Sequence, residues 1–364
     1  QKIEVVAADV RNFWSDCLAN NDNKGKQQAV SYLTHFNKTI MELLDTGTAF
    51  TLKDPPGVGG DKDLHLEEST NGVMIGIWGC LMDRPGNRKS VQFEKSGVQL
   101  DIPKQVFAAG RTVHRVIRTP LETFNLHPYN NTTIIDGEKC LISNNKVVVG
   151  DLYIMEILYP PKESHNIVSL KWCMKDNSKA TYTINRSAYP SSVPIRCFIK
   201  VPDTVVMSND IRIAVWDEEA KEFSEEGVTE FQYSESTRMV QFHITVLGTF
   251  ALVKNRVIDF PYKRFNMAPY RDLNKMDNYE KMIRINIITG NVDLTIGITG
   301  SNCFIAKSTS KCLIDLLNKN MSPGRLIYTL QKRGVNLLPT TLDLSITKLD
   351  VMKVYIHVFI CLYM

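Results

Sequence analysis

Residues 211–253 read IRIAVWDEEAKEFSEEGVTEFQYSESTRMVQFHITVLGTFALV. An apolar run ends on Trp216-Asp217, passes into a crowd of acidic residues, returns at Gly227 and closes with two further apolar runs. In RMVQFHITV, the residues Val240, Phe242, Ile244 and Val246 alternate with Gln241, His243 and Thr245. Successive side chains on a strand point to opposite faces. A period of two therefore predicts a half-buried antiparallel strand, one face in a core and the other wet. The stretch reads as a sandwich wall and contains no recognisable reaction centre.

The same signal extends upstream. In IVSLKWCM (167–174), Val168, Leu170, Trp172 and Met174 share one face, with Ser169, Lys171 and Cys173 on the other. Together with RCFIKV (196–201) these short strands predict a β-sandwich-like domain over 147–262, without the Cys-Trp-Cys arrangement of an antibody domain. Further back, GVMIGIWGCLM (72–82) is apolar on both faces, as a central, doubly covered strand should be. The turn DRPGNRK follows, then Val91 and Phe93, then Val98, Leu100 and Ile102 alternating with Gln99 and Asp101, and TVHRVIRT supplies a further strand. These form a first β unit over 72–125, separated from the second by a polar linker at 126–146.

The two ends differ from this pattern. Val30, Leu33, Phe36, Ile40 and Leu44 recur at three- and four-residue spacing and predict a helical segment within 1–50. DPPGVGGDKD lies in a connector over 51–71, where Pro55-Pro56 and Gly59-Gly60 oppose regular structure. A C-terminal α+β unit over 263–350 opens with MIRINIITGNVDLTIGI, a hairpin turning at Thr289-Gly290-Asn291. MSPGRLIYTLQKRGVNLLP carries the punctuation of a helix: Ser322 as N-cap, Pro323 at the first position, Gly334 at the C-terminal cap, and an apolar stripe of Leu326, Ile327 and Leu330. The tail VMKVYIHVFICLYM (351–364) is shorter than the roughly 20 apolar residues a bilayer span needs. It reads as a terminal core strand or as a sequence misread at an exon boundary. The fold class expected is α+β, mostly β, with an N-terminal helical segment, antiparallel sandwich-like units and a small C-terminal α+β unit.

Composition narrows the function classes. In 364 residues, 23% charged and 43% hydrophobic side chains are ordinary globular proportions. A net charge of +4 is too small for a nucleic-acid footprint, which takes clustered basic stripes. The first residue is Gln1, which predicts a start further upstream, and no basic-then-apolar leader is visible. Eight scattered cysteines with no C-x-x-C read as reduced intracellular thiols, Cys197 being a buried, inert one. The sequons at Asn37, Asn131, Asn185 and Asn320 would matter only in a secreted protein.

No motif argues strongly for catalysis. PPGVGG lacks the lysine and hydroxyl of a phosphate loop, and no H-E-x-x-H supports zinc. His243 falls on the polar face of its strand and reads as a surface histidine. A thiol hydrolase built on Cys17, Cys80 or Cys173 has no nucleophile-elbow glycines behind it. Glu218, Glu219, Glu222, Glu225 and Glu226 could attract calcium, but lack the alternating ligands and central glycine of a calcium loop and read as a solvated hairpin tip. The basic residues are the better candidates for binding. Arg84, Arg88 and Lys89 share one turn, and Lys263, Arg264 and Arg271 are interleaved with Tyr262, Phe265 and Tyr270. Such patches read as ordinary solvated loops, with docking on an acidic protein surface as the alternative.

Four stretches, in order, resemble the dynein axonemal intermediate chain 7 family. They are VMIGIWGCLMDRPGNRKSVQFEKSGVQLDIPK, VVVGDLYIMEILYPPKE, the 211–253 segment running on into FPYKRFNMAPYR, and MSPGRLIYTLQKRGVNLLP. The resemblance covers about residues 25–345, with a shorter region between the β parts and a divergent tail after Leu349. It implies a non-catalytic subunit of axonemal inner-arm dynein in the cytoskeleton of cilia or flagella. Its partners would be dynein chains, tubulin or microtubules, with no cofactor, metal, nucleic acid or membrane. The alternative within this resemblance is a cytoplasmic assembly factor for dynein arms. A basic turn occurs in the family where Arg84, Arg88 and Lys89 stand here.

Overall fold

The computed structural model describes residues 22–53, 63–70, 72–80, 89–107, 112–120, 146–159, 183–184, 193–217, 219–220, 222–255, 257–270, 282–300 and 302–337, with isolated positions at 6, 9–10, 13–14 and 17. The expected strand IVSLKWCM, most of the 126–146 linker and the 351–364 tail lie outside the described residues.

The centre is a sandwich of two antiparallel sheets. Its strands are β1 (Leu64–Thr70), β2 (Val73–Cys80), β3 (Lys89–Phe93), β4 (Val98–Ile102), β5 (Thr112–Pro120), β6 (Lys146–Tyr159) and β7 (Thr183–Ile184), followed by β8 (Ile195–Lys200), β9 (Arg212–Asp217), β10 (Glu222–Ser224), β11 (Val228–Ser234), β12 (Met239–Ile244) and β13 (Gly248–Asn255). The larger sheet runs β1-β2-β5-β6-β13-β9-β10, with β7 paired to β6, and the smaller runs β11-β12-β8-β4-β3. Strands from 64–120 and from 146–255 enter both sheets: β5 pairs with β6, and β4 with β8. The stretches read from sequence as two β units are thus hydrogen-bonded into one sandwich. Local alternation marks a strand but does not name its neighbour, which is why the sequence suggested a seam there. The expected connector at 51–71 also holds a strand, β1, buried at Leu64 and exposed from Glu68 to Thr70, at the edge of the larger sheet.

The 211–253 stretch crosses between the two sheets. β9 and β10 form a hairpin in the larger sheet, β11 and β12 lie in the smaller one, and β13 returns to the larger. Val240 and Phe242 are 0% exposed and Ile244 is 1% exposed; Phe242 sits beside its register partner Cys197 on β8, and the three share one core with residues of the larger sheet such as Ile213 on β9. Truncating Phe242 to alanine there would cost about 3–5 kcal/mol. The expected alternation stops at Ile244: Val246 is 36% exposed. One further cross-strand bond, from the Thr245 N–H to the Gly227 carbonyl at 2.9 Å, extends the β11–β12 pairing beyond Ile244. Val246 then packs over Gly227, whose φ is +81°, and a Cβ at that position would come within 2.7 Å of Val246. At Gly76 the two sheets approach so closely that a Cβ would overlap the Phe93 ring at 2.3 Å.

A helix, α1 (Asn23–Lys53), covers the outer face of the larger sheet. Leu33 packs on Val148, Leu152 and Ala251; Met41 and Leu44 on Ile117 and Ile154; Ala49 and Leu52 on Ile77 and Val113. This third layer explains why β2 is apolar on both faces and why β5 and β6 are buried on both. Asn37, on the same helix, is 8% exposed.

One arginine ties helix to sheet. Arg115 on β5, with a side chain 0% exposed, donates through Nε (2.8 Å) and Nη2 (2.6 Å) to Glu156 on β6 and through Nη1 to Thr48 (3.1 Å) on α1, and its Nη1 also forms an ion pair with Asp45 (2.7 Å) on the same helix. Glu156 is its register partner across the ladder. A charge removed from water persists only when paired and hydrogen-bonded in this way.

The C-terminal unit is a meander of β14 (Arg264–Tyr270), β15 (Met282–Ile288), β16 (Asp293–Thr299) and β17 (Asn302–Ser308), a 3-10 helix at Lys311–Leu316, and α2 (Pro323–Lys332). Ser322 caps α2 by accepting from the Arg325 N–H, and Pro323 occupies the first turn. At its end the Gly334 N–H reaches the Gln331 carbonyl (2.9 Å) and the Val335 N–H the Leu330 carbonyl (2.8 Å), with Gly334 at φ +86°. That is a Schellman motif, and the buried Leu330 and Val335 make its apolar contact.

A second buried ion pair joins this unit to the sandwich. Lys254, at the end of β13, meets Asp259 at 3.1 Å; they are 2% and 0% exposed. Lys254 also donates to the Gly334 carbonyl. Asp259 accepts from the Asn336 N–H (2.9 Å), Asn291 (3.1 Å) and Thr289 (3.3 Å). The pair therefore gathers the last sandwich strand, the β15–β16 turn and the segment after α2 at one point.

Candidate interaction surface

The basic residues singled out in the sequence fall on different sheets. Lys89 begins β3, an edge strand of the smaller sheet, and pairs with Asp63 at 3.0 Å. Both partners remain partly exposed, so water screens the pair and it contributes at most about 1 kcal/mol. Arg84, Arg88 and Arg271 lie outside the described residues. Lys263 and Arg264 are exposed where β14 begins, at one edge of the C-terminal sheet.

The aromatic residues between these bases have a packing role. Tyr262 stacks on Phe265 at 6.3 Å with ring planes 18° apart, and both pack on the core of the C-terminal unit. The Tyr262 hydroxyl donates to the Leu337 carbonyl, and burial, followed by the charge of Asp259, pushes its pKa above the usual tyrosine range. Anchored aromatics hold the backbone of 260–265 in place and leave Lys263 and Arg264 standing outward. The far end of the sheet is covered instead: β17 bridges to Met321 and Leu317.

The acidic turn is internally engaged. Asp217 accepts from the N–H groups of Glu219 (2.8 Å) and Ala220 (3.0 Å), which lower its pKa. Glu225 pairs with Lys146, and Phe223 buries itself against Trp216 at 5.3 Å between ring centroids. Glu218 is outside the described residues. Among the described residues no group of three or more His, Cys, Asp or Glu side chains could hold a metal ion.

The reactive-looking groups are occupied or buried. His243 is half-buried on the outer face of β12, 2.8 Å from Glu230. Cys17 is buried, the side chain of Cys80 and the whole of Cys173 fall outside the described residues, and burial pushes the Cys303 thiol up to about 12. Burial, together with the charge of Asp101, also pushes Cys197 far above the usual thiol range. His114 is buried between the sheets beside Trp78, ring centroids 5.6 Å apart, and desolvation lowers its pKa to about 3. No described helix is long and apolar enough to cross a membrane.

Three features escaped the sequence reading: the Arg115 cluster, the Lys254–Asp259 joint and a set of exposed apolar side chains on α1. The first two look like ordinary solvent-facing charges, because burial comes from elements distant in sequence. The third was visible in principle, since Tyr32, Leu43 and Phe50 stand off the stripe of Val30, Leu33, Phe36, Ile40 and Leu44.

The chain is similar to dynein axonemal intermediate chain 7. It is 27% identical to the Bos taurus protein over 330 residues, covering 86% of this chain and 42% of that protein. Similarity to the Danio rerio protein is 22% over 179 residues, 49% of this chain and 22% of the relative. For the Homo sapiens protein it is 26% over 157 residues, 42% and 20% respectively. The chain therefore spans less than half the length of these relatives. No protein-family model matches it. These likenesses support the family suggested by the four sequence stretches, at modest identity.

Proposed function

We propose that this chain is a non-catalytic structural or regulatory component of the axonemal inner dynein arm, working in cilia or flagella by holding dynein chains, tubulin or both. The observation that carries the reading is similarity over 86% of the chain to a protein named as an axonemal dynein intermediate chain. The geometry is consistent with it: buried charge is spent on joining layers and units, while Lys263 and Arg264 remain available at a sheet edge. Contact with an acidic partner surface would run through these bases and through the turn at Arg84, Arg88 and Lys89.

Co-sedimentation with microtubules tests direct contact. Binding is expected to weaken as ionic strength rises and on charge reversal at Arg84, Arg88 and Lys89. No binding, or binding indifferent to the reversal, removes the basic-turn contribution. Detergent-extracted axonemes separate a fixed subunit, which stays with the doublets, from an assembly factor found mainly in the cytoplasm.

A further inference from the structure

We infer that the outer face of the C-terminal sheet is a docking site for a short, extended segment of a partner protein rich in Asp and Glu. The net charge of +4 hides an uneven distribution. Residues 263–337 hold 12 Lys and Arg against 5 Asp and Glu, a net +7, which leaves the rest of the chain at −3. In the sandwich Lys89, Lys95, Arg115, Arg118 and Lys146 are each paired with a carboxylate. In the C-terminal unit Lys263, Arg264, Lys307, Lys311 and Arg325 are exposed and form no ion pair among the described residues. Unneutralised charge of one sign sets up a local potential that draws in an anionic partner.

Register places two of these bases on one face. Ile285, Ile287, Leu294, Ile296 and Ile305 point into the core of the unit, where Leu313 of the 3-10 helix and Leu326 of α2 pack on them. Side chains alternate along a strand, so Arg264, Asn266, Asn286, Thr295, Phe304 and Lys307 stand on the opposite face. Among the described residues of that face the acid is Asp293, which lies two strands from Arg264, about 10 Å away. A Cβ at Gly297 would fall 2.4 Å from the Phe304 ring, so that ring fills the gap over β16 and flattens the surface. The Thr295 hydroxyl donates to Asn286 Oδ1 at 3.0 Å, which keeps the Asn286 amide N–H groups for a further acceptor. Arg264 and Lys307 are three strand spacings and one side-chain repeat apart, about 16 Å, the length of about five extended residues. Carboxylates spaced along such a segment complement both bases and the amide donors between them. A membrane surface would need apolar anchors here, but the exposed Met267 belongs to the core-side face of β14 and the exposed Ile314 to the 3-10 helix. Nucleic acid would need free stacking faces, and Phe304 is half-buried over Gly297. The site shares Arg264 with the contact proposed above but does not require an axonemal partner.

A fluorescently labelled Glu-rich peptide of about eight residues, long enough to span both bases, tests the site on the full chain by anisotropy. Expected is saturable binding that weakens as salt rises and drops about tenfold or more on Arg264→Glu combined with Lys307→Glu. Both side chains are exposed, so the circular dichroism spectrum should not change, and Arg264→Gln with Lys307→Gln should give a smaller loss. Lys24→Glu with Lys38→Glu, which reverses two exposed bases on α1, should leave the affinity within about twofold. Equal loss from the two double reversals would mean attraction to net charge alone and overturns the site. No binding of the peptide overturns it too, as does tighter binding of a single-stranded oligonucleotide or of phosphatidylserine vesicles. If microtubule binding fails while the peptide still binds, the axonemal reading falls and the site stands; the converse result removes the site alone.

Discussion

Arg115→Met removes the cation that holds two carboxylates at the contact between α1 and the larger sheet. The consequences for the two acids differ. Asp45, 34% exposed, turns to water and loses little. Glu156, whose side chain is 4% exposed, is left as a buried charge without a counter-charge, a change that costs about 3–5 kcal/mol. Thr48 adds nothing to the loss, because its hydroxyl still donates to the Leu44 carbonyl at 2.7 Å. Against a typical stability of about 5–15 kcal/mol, the single substitution removes a large share. Pairing it with Glu156→Leu removes the stranded charge as well. The double variant is then expected between about 1 kcal/mol below and about 4 kcal/mol above the native chain. Urea unfolding followed by far-ultraviolet circular dichroism measures all three proteins, and equal m-values would license the comparison. The reasoning is refuted if Arg115→Met costs less than about 1 kcal/mol, or if the double variant is no more stable than the single one.

Two other expectations follow from buried groups. His114 is neutral in the folded chain, with its pKa lowered to about 3, whereas unfolded histidine titrates near 6.5. Below pH 6.5 the unfolded state takes up a proton that the folded state refuses, so stability is present above that pH and is lost as pH falls towards 3. The loss from this residue reaches about 2 kcal/mol at pH 5, and His114→Phe should flatten that part of the pH profile in urea titrations. Asp259→Ala strands Lys254 and strips the acceptor from the Asn336 N–H, costing about 3–5 kcal/mol. Hydrogen exchange should quicken first in β15, β16 and α2; an equal change in β8 and β12 would contradict a joint between units.

What could be read from the sequence was whatever is encoded locally. Val240, Phe242 and Ile244 declared their strand by alternation, and Ser322, Pro323 and Gly334 declared both ends of α2, because caps act through neighbouring backbone groups. Leu33 declared the buried side of α1 through helical spacing. Strand neighbours were not legible, since the pairings of β5 with β6 and β4 with β8 join residues far apart in the chain. Arg115 and Lys254 sit in otherwise apolar runs as though facing water, and only α1 in one case and the C-terminal unit in the other enclose them. β1 was missed for the converse reason. Its edge position leaves Glu68, Ser69 and Thr70 exposed, so the alternation of Leu64 and Leu66 is too short to mark it. Of the candidate bases, Lys263 and Arg264 are exposed as their polarity suggests, while Lys89 is already engaged by Asp63.

The sharing of both sheets by distant strands has a consequence for synthesis. β2 and β5 await β6, and β6 in turn awaits β13, which ends at Asn255. A ribosome making this chain therefore releases most of it before the larger sheet can close. Until then the earlier strands carry open edges and uncovered apolar faces, the condition under which nascent proteins pair wrongly or aggregate. Closure of the larger sheet is tied to the synthesis of β13, so the order in which the strands are made sets how long those edges stay open.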